Sequence, residues 1–505
     1  MGSVREMKLP QKRNIGKDEP VMQLKINAFA IACFFALTFF SCLPSAAQDS
    51  GKKNKTVAAD TIPQRFIKVE KIYIIGHKRT RKSIITRELS IEENGIYDST
   101  TLATTLELDK QKIFNTRLFN TVDVTLLETA PGIGSVLVKV EERWYFFPAP
   151  IFQLADRNFN DWWTNRGRDF SRVNYGVRVD QYNLRGMNDR LRLIAQFGFT
   201  RQFDITYSIP YFDKRQRHGF TTGASYNESK NVAYQTDDHI PTFIRSEDLI
   251  QNRFNTYLQY SYRNAFYNFH YFTVGYQKLQ TADTIRQLNP NYFGINKEQQ
   301  QFVHLKYQFL RDRRDFRNYP LKGYYISFIG EKDGLSNKAD VNLWSGKLLY
   351  AKFWDMGKGF YFATGLTGLV SGPSSQPYSL NQSLGFGRNY VRGFELNVVE
   401  GPRYVLSKNT FKKEIFKTTK DISKIMLIPQ FQKLPLALYA KVFFDLGYVQ
   451  NYPNYELNTR LSNKLLYGVG TGLDLVSFYD FVVRTEYSYN SQGDFHFFLN
   501  FKAEL

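Results

Sequence analysis

The stretch "GFGRNYVRGFELN", residues 385–397, places one guanidinium, Arg392, between Val391 and the pair Gly393-Phe394. A guanidinium forms two parallel hydrogen bonds to a single carboxylate, which an ammonium cannot, so an arginine in this tight setting suits directional ion pairing. A solvated loop charge is the alternative. A second charged set lies in "RDRRDFRNYPLKG", where Asp312, Arg314 and Asp315 precede Pro320 and Gly323. A solvated turn between two strands is an equal use for it. Covalent chemistry finds little support. The chain has no Gly-x-Ser-x-Gly elbow. The six histidines, at 77, 218, 239, 270, 304 and 496, lack metal-ligand spacing, and His77 reads as a loop residue. No enzyme activity, metal or cofactor is expected.

The elements that hold these residues begin after an export signal. Lys25 precedes an apolar run, Ile26–Phe40, and Ser45-Ala46-Ala47 follows before Gln48. A charged start, an apolar run of about 15 residues and small residues at a cleavage site make a secretory signal peptide. The run is shorter than the roughly 20 residues a spanning helix needs. Residues 1–21 read as an upstream extension, since Met22 would start a signal of ordinary length. A lipid-modified Cys42 is a weaker alternative, because Phe39-Phe40-Ser41 fits poorly before it. Both cysteines, Cys33 and Cys42, fall inside this segment, so the mature chain is expected to have no thiol chemistry. The net charge of +20 is scattered rather than packed in one patch. In an exported protein, anionic lipid or lipopolysaccharide suits it better than nucleic acid.

Residues 1–47 are thus the extension and signal, and 48–65 a polar linker. Residues 66–143 read as a small α+β unit. Phe66–Ile75 is a strand. Thr80 is placed to cap a helix through Leu89, and Ser99 to cap a second carrying Leu102, Leu106 and Ile113 on one face. Strands Leu118–Leu127 and Ser135–Glu141 flank a Pro-Gly turn, completing the order β-α-α-β-β.

From Trp144 to Leu505 no convincing amphipathic helix occurs, and the pattern is alternation. In 202–211, Phe203, Ile205, Tyr207 and Ile209 oppose Gln202, Asp204, Thr206 and Ser208. In 480–489, Phe481, Val483 and Tyr487 oppose Asp480, Arg484 and Glu486. Such a strand has one wet and one apolar face. A soluble sandwich puts the wet face outside; a membrane barrel puts it in the lumen. Export, segments of about 10 residues and tyrosines near segment ends favour the barrel. The fold class is therefore mainly β, a transmembrane antiparallel barrel of about 16 strands behind one small α+β domain. The last segment alternates Phe495, Phe497, Leu499 and Phe501 with His496, Phe498 and Asn500, an aromatic-rich terminal strand.

The ordered motifs carry a resemblance. "VRGFE" after Gly385-Phe386-Gly387 resembles the signature loop of the BamA/TamA superfamily of outer-membrane assembly and translocation barrels. Upstream, Asp312, Arg314, Asp315, Pro320 and Gly323 resemble its strand-pair motif. Downstream, "VFFDLGYV" (442–449) is similar to its Phe-Asp-x-Gly strand. "IIGHKRTRKSIITREL" and "LFNTVDV" resemble a polypeptide-transport-associated (POTRA) domain, and the barrel resembles the bacterial surface antigen type.

The resemblance implies that the loop Val391, Arg392, Gly393 and Phe394 folds back into the barrel, where its arginine pairs with acids of the inner wall. If Val442 and Phe444 face lipid, Asp445 faces inward and is one candidate; Glu486, on a wet face, is the second. Phe495, Phe497, Leu499 and Phe501 would form one side of a seam able to open. The implied partners are unfolded outer-membrane or secreted polypeptides, outer-membrane lipid or lipopolysaccharide, and accessory lipoproteins, with no nucleic acid. The implied location is the bacterial outer membrane, with the POTRA-like domain in the periplasm. A passive porin or receptor on the same scaffold, and lipid transport or membrane remodelling, are the competing readings.

Overall fold

The structure is a computed structural model that describes residues 66–154 and most of 173–500, with Trp163, Arg168 and Phe170 between them. Positions 214, 247, 295–296, 336–338, 382, 388, 425, 427–431, 454 and 478–480 fall outside the described set. So do the expected signal peptide, the 48–65 linker and Phe501.

The first domain contains β1 (Phe66–Ile75), α1 (Lys82–Thr86), β2 (Ile96–Asp98), α2 (Ser99–Phe114), β3 (Phe119–Ala130) and β4 (Ile133–Glu142). Its sheet runs β2-β1-β4-β3, with β1 and β4 parallel. Period-two residues Val69, Val122, Val136 and Val138 bury one face against Ile84, Ile85, Leu102, Leu106 and Ile113 of the helices. Each such side chain contributes about 1.5–3 kcal/mol by leaving water. The other edge strand, β3, pairs only with β4 in this sheet.

Three local expectations are corrected. The three-residue β2 separates the helices, too short to leave a periodic signal, so the order is β-α-β-α-β-β. Asp98 rather than Ser99 caps α2, accepting from the Thr100 N–H at 2.9 Å. Thr80 does not cap α1, whose N-cap is Arg81. Its hydroxyl instead lies 3.0 Å from the Tyr145 hydroxyl and accepts from Asn183 Nδ2 at 2.9 Å. A threonine chosen for capping geometry is here claimed by a tertiary network, which local propensity does not report.

The second part opens with β5 (Phe146–Leu154), β6 (Val173–Tyr182), β7 (Arg190–Gly198), β8 (Thr200–Ile209) and β9 (His218–Ser229). A hairpin, β10 (Asn231–Asp237) and β11 (Ile240–Arg245), intervenes before β12 (Gln251–Ala265) and β13 (Asn268–Thr281). After a short helix, α3 (Asp283–Leu288), come β14 (Gln299–Asp312), β15 (Gly323–Asp333), β16 (Leu343–Gly357) and β17 (Phe360–Gly372). A two-residue pair, β18 (Ser383–Leu384) and β19 (Val399–Glu400), lies in the long loop before β20 (Arg403–Asp421). The last four strands are β21 (Lys433–Gln450), β22 (Leu465–Val476), β23 (Val482–Asn490) and β24 (Phe495–Asn500).

Leaving out β10, β11, β18 and β19, these form one 16-stranded sheet in chain order. Every adjacent pair is antiparallel, as tight sequential hairpins require. The alternation sorts side chains as the sequence predicts: on β21, Val442 and Phe444 are exposed outward, while Lys441, Phe443 and Asp445 are buried within. Side chains of distant strands meet inside. The Tyr319 hydroxyl, in the turn before β15, donates to Asp474 on β22 at 2.9 Å. At the opposite end Arg460, between β21 and β22, donates to Asp238 of the β10–β11 hairpin at 2.6 Å. The sheet therefore curls around a bore.

The first domain is seated against the turns at one end of that bore. Glu88 accepts two bonds from Arg263 at the end of β12, at 2.7 and 2.9 Å, and both side chains are buried. Arg87 stacks 3.4 Å over the Tyr211 ring, and the Arg81 N–H donates to Gly186 O at 3.0 Å. Asn115 Nδ2 donates to Asp315 O at 3.0 Å, and Phe114 meets Phe316 edge-on with centroids 5.5 Å apart.

Candidate functional site

The long loop between β17 and β20 folds into the bore. Positive φ angles at Gly385 (104°) and Gly393 (98°) let it double back, and the Gly385 N–H closes a small turn onto Asn389 O at 2.7 Å. At its tip the Phe394 N–H donates to Val391 O at 2.9 Å. Val391 and Phe394 are buried with Leu369, Leu406, Val449, Leu461 and Leu466, an apolar patch on the inner wall and neighbouring loops.

Between those two anchors Arg392 reaches the wall. Its Nε donates to Asp445 Oδ2 at 2.8 Å and its Nη2 to Asp445 Oδ1 at 2.6 Å, while its own backbone N–H also donates to Oδ2 at 3.1 Å. Asp445 has no accessible surface. The guanidinium lies 3.9 Å over the Phe443 ring, and Nη2 also donates to Thr410 Oγ1 at 3.0 Å. Glu486 Oε1 is 3.5 Å from Nη1, a much longer approach than that of Asp445. The bidentate partner is thus Asp445, with Glu486 a peripheral acid. Removing one member of such a buried pair typically costs about 3–5 kcal/mol, because the other charge is left without water or counterion.

The wall is cut to admit the loop. A Cβ on Gly468 would sit 1.7 Å from Arg392 O, and one on Gly447 would sit 2.5 Å from Val391 Cγ2. A Cβ on Gly393 would stand 3.0 Å from Asn490 Cβ, and Asn490 Nδ2 donates to Gly393 O at 2.7 Å. The loop backbone therefore lies directly on β21, β22 and β23.

A second charge cluster adjoins the first. Lys441 Nζ lies 2.8 Å from both Asp474 Oδ1 and Glu486 Oε1, and Arg484 Nε donates to Asp474 at 2.9 Å. Asp474 also accepts from Tyr319, so the cluster links the β14–β15 turn to the arginine through Glu486. In that turn Arg314 makes a bidentate pair with Asp312, both bonds at 2.8 Å, and Asp315 Oδ1 accepts from the Leu321 N–H at 3.1 Å. Pro320 is buried beside Tyr319, and Gly323 has φ 102°, where a Cβ would strike Arg313 O at 2.0 Å. The strand-pair motif thus shapes a turn that dips into the bore, where Tyr319 meets Asp474.

On β24, Phe495, Phe497 and Leu499 are exposed on the outer face, while Phe498 is buried inward. Residues 183–478 match the Omp85 superfamily domain, and residues 67–143 match the POTRA family described as a surface antigen variable number repeat. The chain belongs to the Omp85 superfamily. It is an outer-membrane β-barrel whose POTRA domain lies in the periplasm, so the turns seated on that domain are periplasmic and the β10–β11 hairpin is extracellular.

Among solved structures, the chain is similar to BamA from Haemophilus ducreyi lacking POTRA domains 1–3, at 15% identity over 87% of this chain and 85% of that one, with a TM-score of 0.48. It is similar to CdiB from Escherichia coli at 11% identity, over 89% of this chain and 92% of that one, with a TM-score of 0.49. CdiB from Acinetobacter baumannii gives 15% identity, 87% and 74% coverage, and a TM-score of 0.45. No curated protein matches by sequence.

Several residues of this Omp85 site are not singled out by sequence motif: Lys441, Asp474, Arg484, Tyr319, Thr410, Gly468 and Asn490. Their signal is parity, since Lys441 shares the inward face of Asp445, and Arg484 that of Glu486. Which inward residues touch depends on register between strands, and that appears only in the folded sheet.

Proposed function

We propose that this Omp85 barrel handles unfolded outer-membrane or secreted polypeptides, assisting their insertion, assembly or translocation without covalent chemistry, metal or nucleotide. The observation that carries this reading is the position of Arg392, held on β21 and approaching β23, the strands that lead directly to the terminal strand β24. A loop clamped there stiffens the wall beside the sheet's end, and its release would loosen the same place.

A client chain arrives with unpaired backbone groups. The POTRA edge strand β3, twelve residues long, suits capture of an extended segment by β-augmentation. In the bilayer the same groups need protein partners, because lipid provides none. An edge of the barrel that opens would satisfy them, and folding of the client would drive the process. The basic surface suits anionic lipid or lipopolysaccharide around the barrel, and accessory lipoproteins would dock in the periplasm.

Depletion of the protein followed by a catalogue of the outer-membrane and secreted proteomes tests the reading. Loss of a defined set of other barrels or exported chains is expected. An unchanged proteome accompanied only by reduced permeability would replace it with a passive pore.

A further inference from the structure

The two faces of the barrel treat their cations differently. Inside, the charge clusters set cations on carboxylates: Arg392 on Asp445, Lys441 and Arg484 on Asp474, Arg190 and Arg192 on Asp180. On the lipid face, a group at the ends of β14, β15 and β16 is arranged otherwise. Exposed Leu305, Phe328 and Leu348 fix the outward parity of these three strands, and Arg311, Tyr324 and Lys352 share it. Tyr324 stands opposite Lys352 in the ladder, and the Arg313 N–H donates to Tyr324 O at 2.8 Å, which brings Arg313 into the same row. The turn that joins β14 to β15 touches the POTRA domain through Asp315 and Phe316. The row therefore lies at the periplasmic leaflet.

The Arg311 guanidinium lies 5.8 Å from the centroid of the Tyr324 ring, and Lys352 Nζ lies 5.5 Å from the same centroid. Lys352 is also 5.8 Å from the Trp354 ring, and Arg313 stands 4.7 Å over Tyr267. Among the described residues, none of these three cations pairs with a carboxylate, and Arg311 Nε is shielded from solvent without a hydrogen-bond partner. Asp312, between the two arginines in the chain, has the opposite parity and is taken by Arg314 and Arg317. A second cation–tyrosine pair on this rim gives the contrast. Arg185 lies 5.7 Å from the Tyr207 ring, but its Nε donates to Asp189 at 2.9 Å, and the Tyr207 hydroxyl donates to the same carboxylate at 3.0 Å. That pair carries its own anion; the one at Tyr324 does not.

We infer that Arg311, Tyr324 and Lys352 form a binding site for the phosphate diester of an anionic glycerophospholipid in the periplasmic leaflet. A cation on the lipid face is costly at mid-bilayer and nearly free at headgroup level, where a phosphate can serve as its counterion. Aromatic rings at that level are general to membrane proteins. Two cations converging on one ring with no acid beside them are particular to this wall. The guanidinium offers phosphate oxygens a planar pair of N–H donors, the ammonium a point charge, and the Tyr324 hydroxyl a further donor. Ile326, Phe328 and Leu348, farther from the periplasm on the same face, offer apolar surface to the acyl chains. Lipopolysaccharide occupies the opposite leaflet and does not reach this row. The inference narrows the lipid partner proposed above and does not depend on client handling.

The test is a titration of the full-length barrel, in neutral detergent, with phosphatidylglycerol, followed by native mass spectrometry. Each variant is first checked for the folded, heat-modifiable electrophoretic form. Arg311→Gln and Lys352→Gln should each weaken binding about five-fold, and the double variant roughly twenty-five-fold. Arg311→Lys, which keeps the charge, should lose less than Arg311→Gln. Arg185→Gln, at the pair that has its own carboxylate, should bind as the parent does. Undiminished binding in the single variants, or an equal loss in Arg185→Gln, would overturn the inference. Tighter binding of lipid A than of phosphatidylglycerol would overturn the assignment to the periplasmic leaflet. The proteome catalogue proposed above can fail without touching this titration, and the titration can fail without touching the catalogue.

Discussion

The POTRA core and the arginine-locked loop are built on opposite principles. The first is apolar: Ile85, Leu102, Ile113, Val136 and Val138 interlock in a cluster that many volume-conserving sequences would fill. The second is ionic: Arg392, Asp445, Glu486, Lys441, Asp474 and Arg484 are all buried in the bore, and each contact depends on a particular distance and direction. A packed core loses stability gradually as atoms are removed. A buried charge network fails abruptly, because any member left alone is expensive. The molecule thus puts a tolerant element in the periplasm and an intolerant one beside its terminal strands.

The largest effect should come from breaking the ionic side. Arg392→Ala, leaving Asp445 buried without its bidentate partner, should cost about 3–5 kcal/mol. It would be read as a lowered heat-modification temperature and weakened function. Arg392→Lys should recover only part, since an ammonium cannot span both carboxylate oxygens; full recovery would reduce the loop contact to simple charge.

On the apolar side, Leu102→Ala should cost about 2–5 kcal/mol. Its signature differs: protease sensitivity within residues 66–143 while the barrel's heat-modification temperature holds. If the barrel softened equally, the contrast between the regions would blur, and the Glu88–Arg263 junction would be transmitting the damage. A smaller effect belongs to Tyr319→Phe, which removes one hydrogen bond to Asp474 but leaves Lys441 and Arg484 in place. About 1 kcal/mol is expected, seen in the same temperature scan.

The smallest effect concerns acid. His239, in the extracellular hairpin, lies 3.2 Å from Val398 O through Nδ1 and accepts from the Leu461 N–H at 2.8 Å through Nε2. Burial pushes its imidazole below the ordinary value, an effect that Asp238 opposes and Arg460 and Lys464 reinforce. The neutral ring is therefore the folded form. Its contribution is complete above about pH 6.5 and is lost as the pH falls, since the released loop takes up the proton first. The protection factor of the Leu461 amide, its exchange rate corrected for the intrinsic pH dependence of an exposed amide, should fall between pH 7 and 5, and an unchanged protection factor would remove this contribution.

Much of this was legible in the residues. Alternation along 442–449 puts Asp445 inward once Val442 and Phe444 are taken to face lipid, and the order of the motifs carried the family. The chemistry across strands was less legible. Nothing in "LLYGVGTGLDLV" states that Gly468 must be bare because Arg392 O lies on it, and Tyr319 reads as an ordinary turn residue until the turn is seen to enter the bore. Thr80 and Asp98 show the same limit within the first domain. Each is a good capping residue, yet Thr80 is taken by Tyr145 and Asn183 whereas Asp98 caps α2 through Thr100.

The central claim is that Arg392 and Asp445 act as one unit inside the barrel. A double-mutant cycle with Arg392→Ala, Asp445→Ala and the pair, read by barrel unfolding, addresses it directly. The account predicts that the pair is little worse than either single variant, with strong coupling between the sites. Additive losses would contradict it.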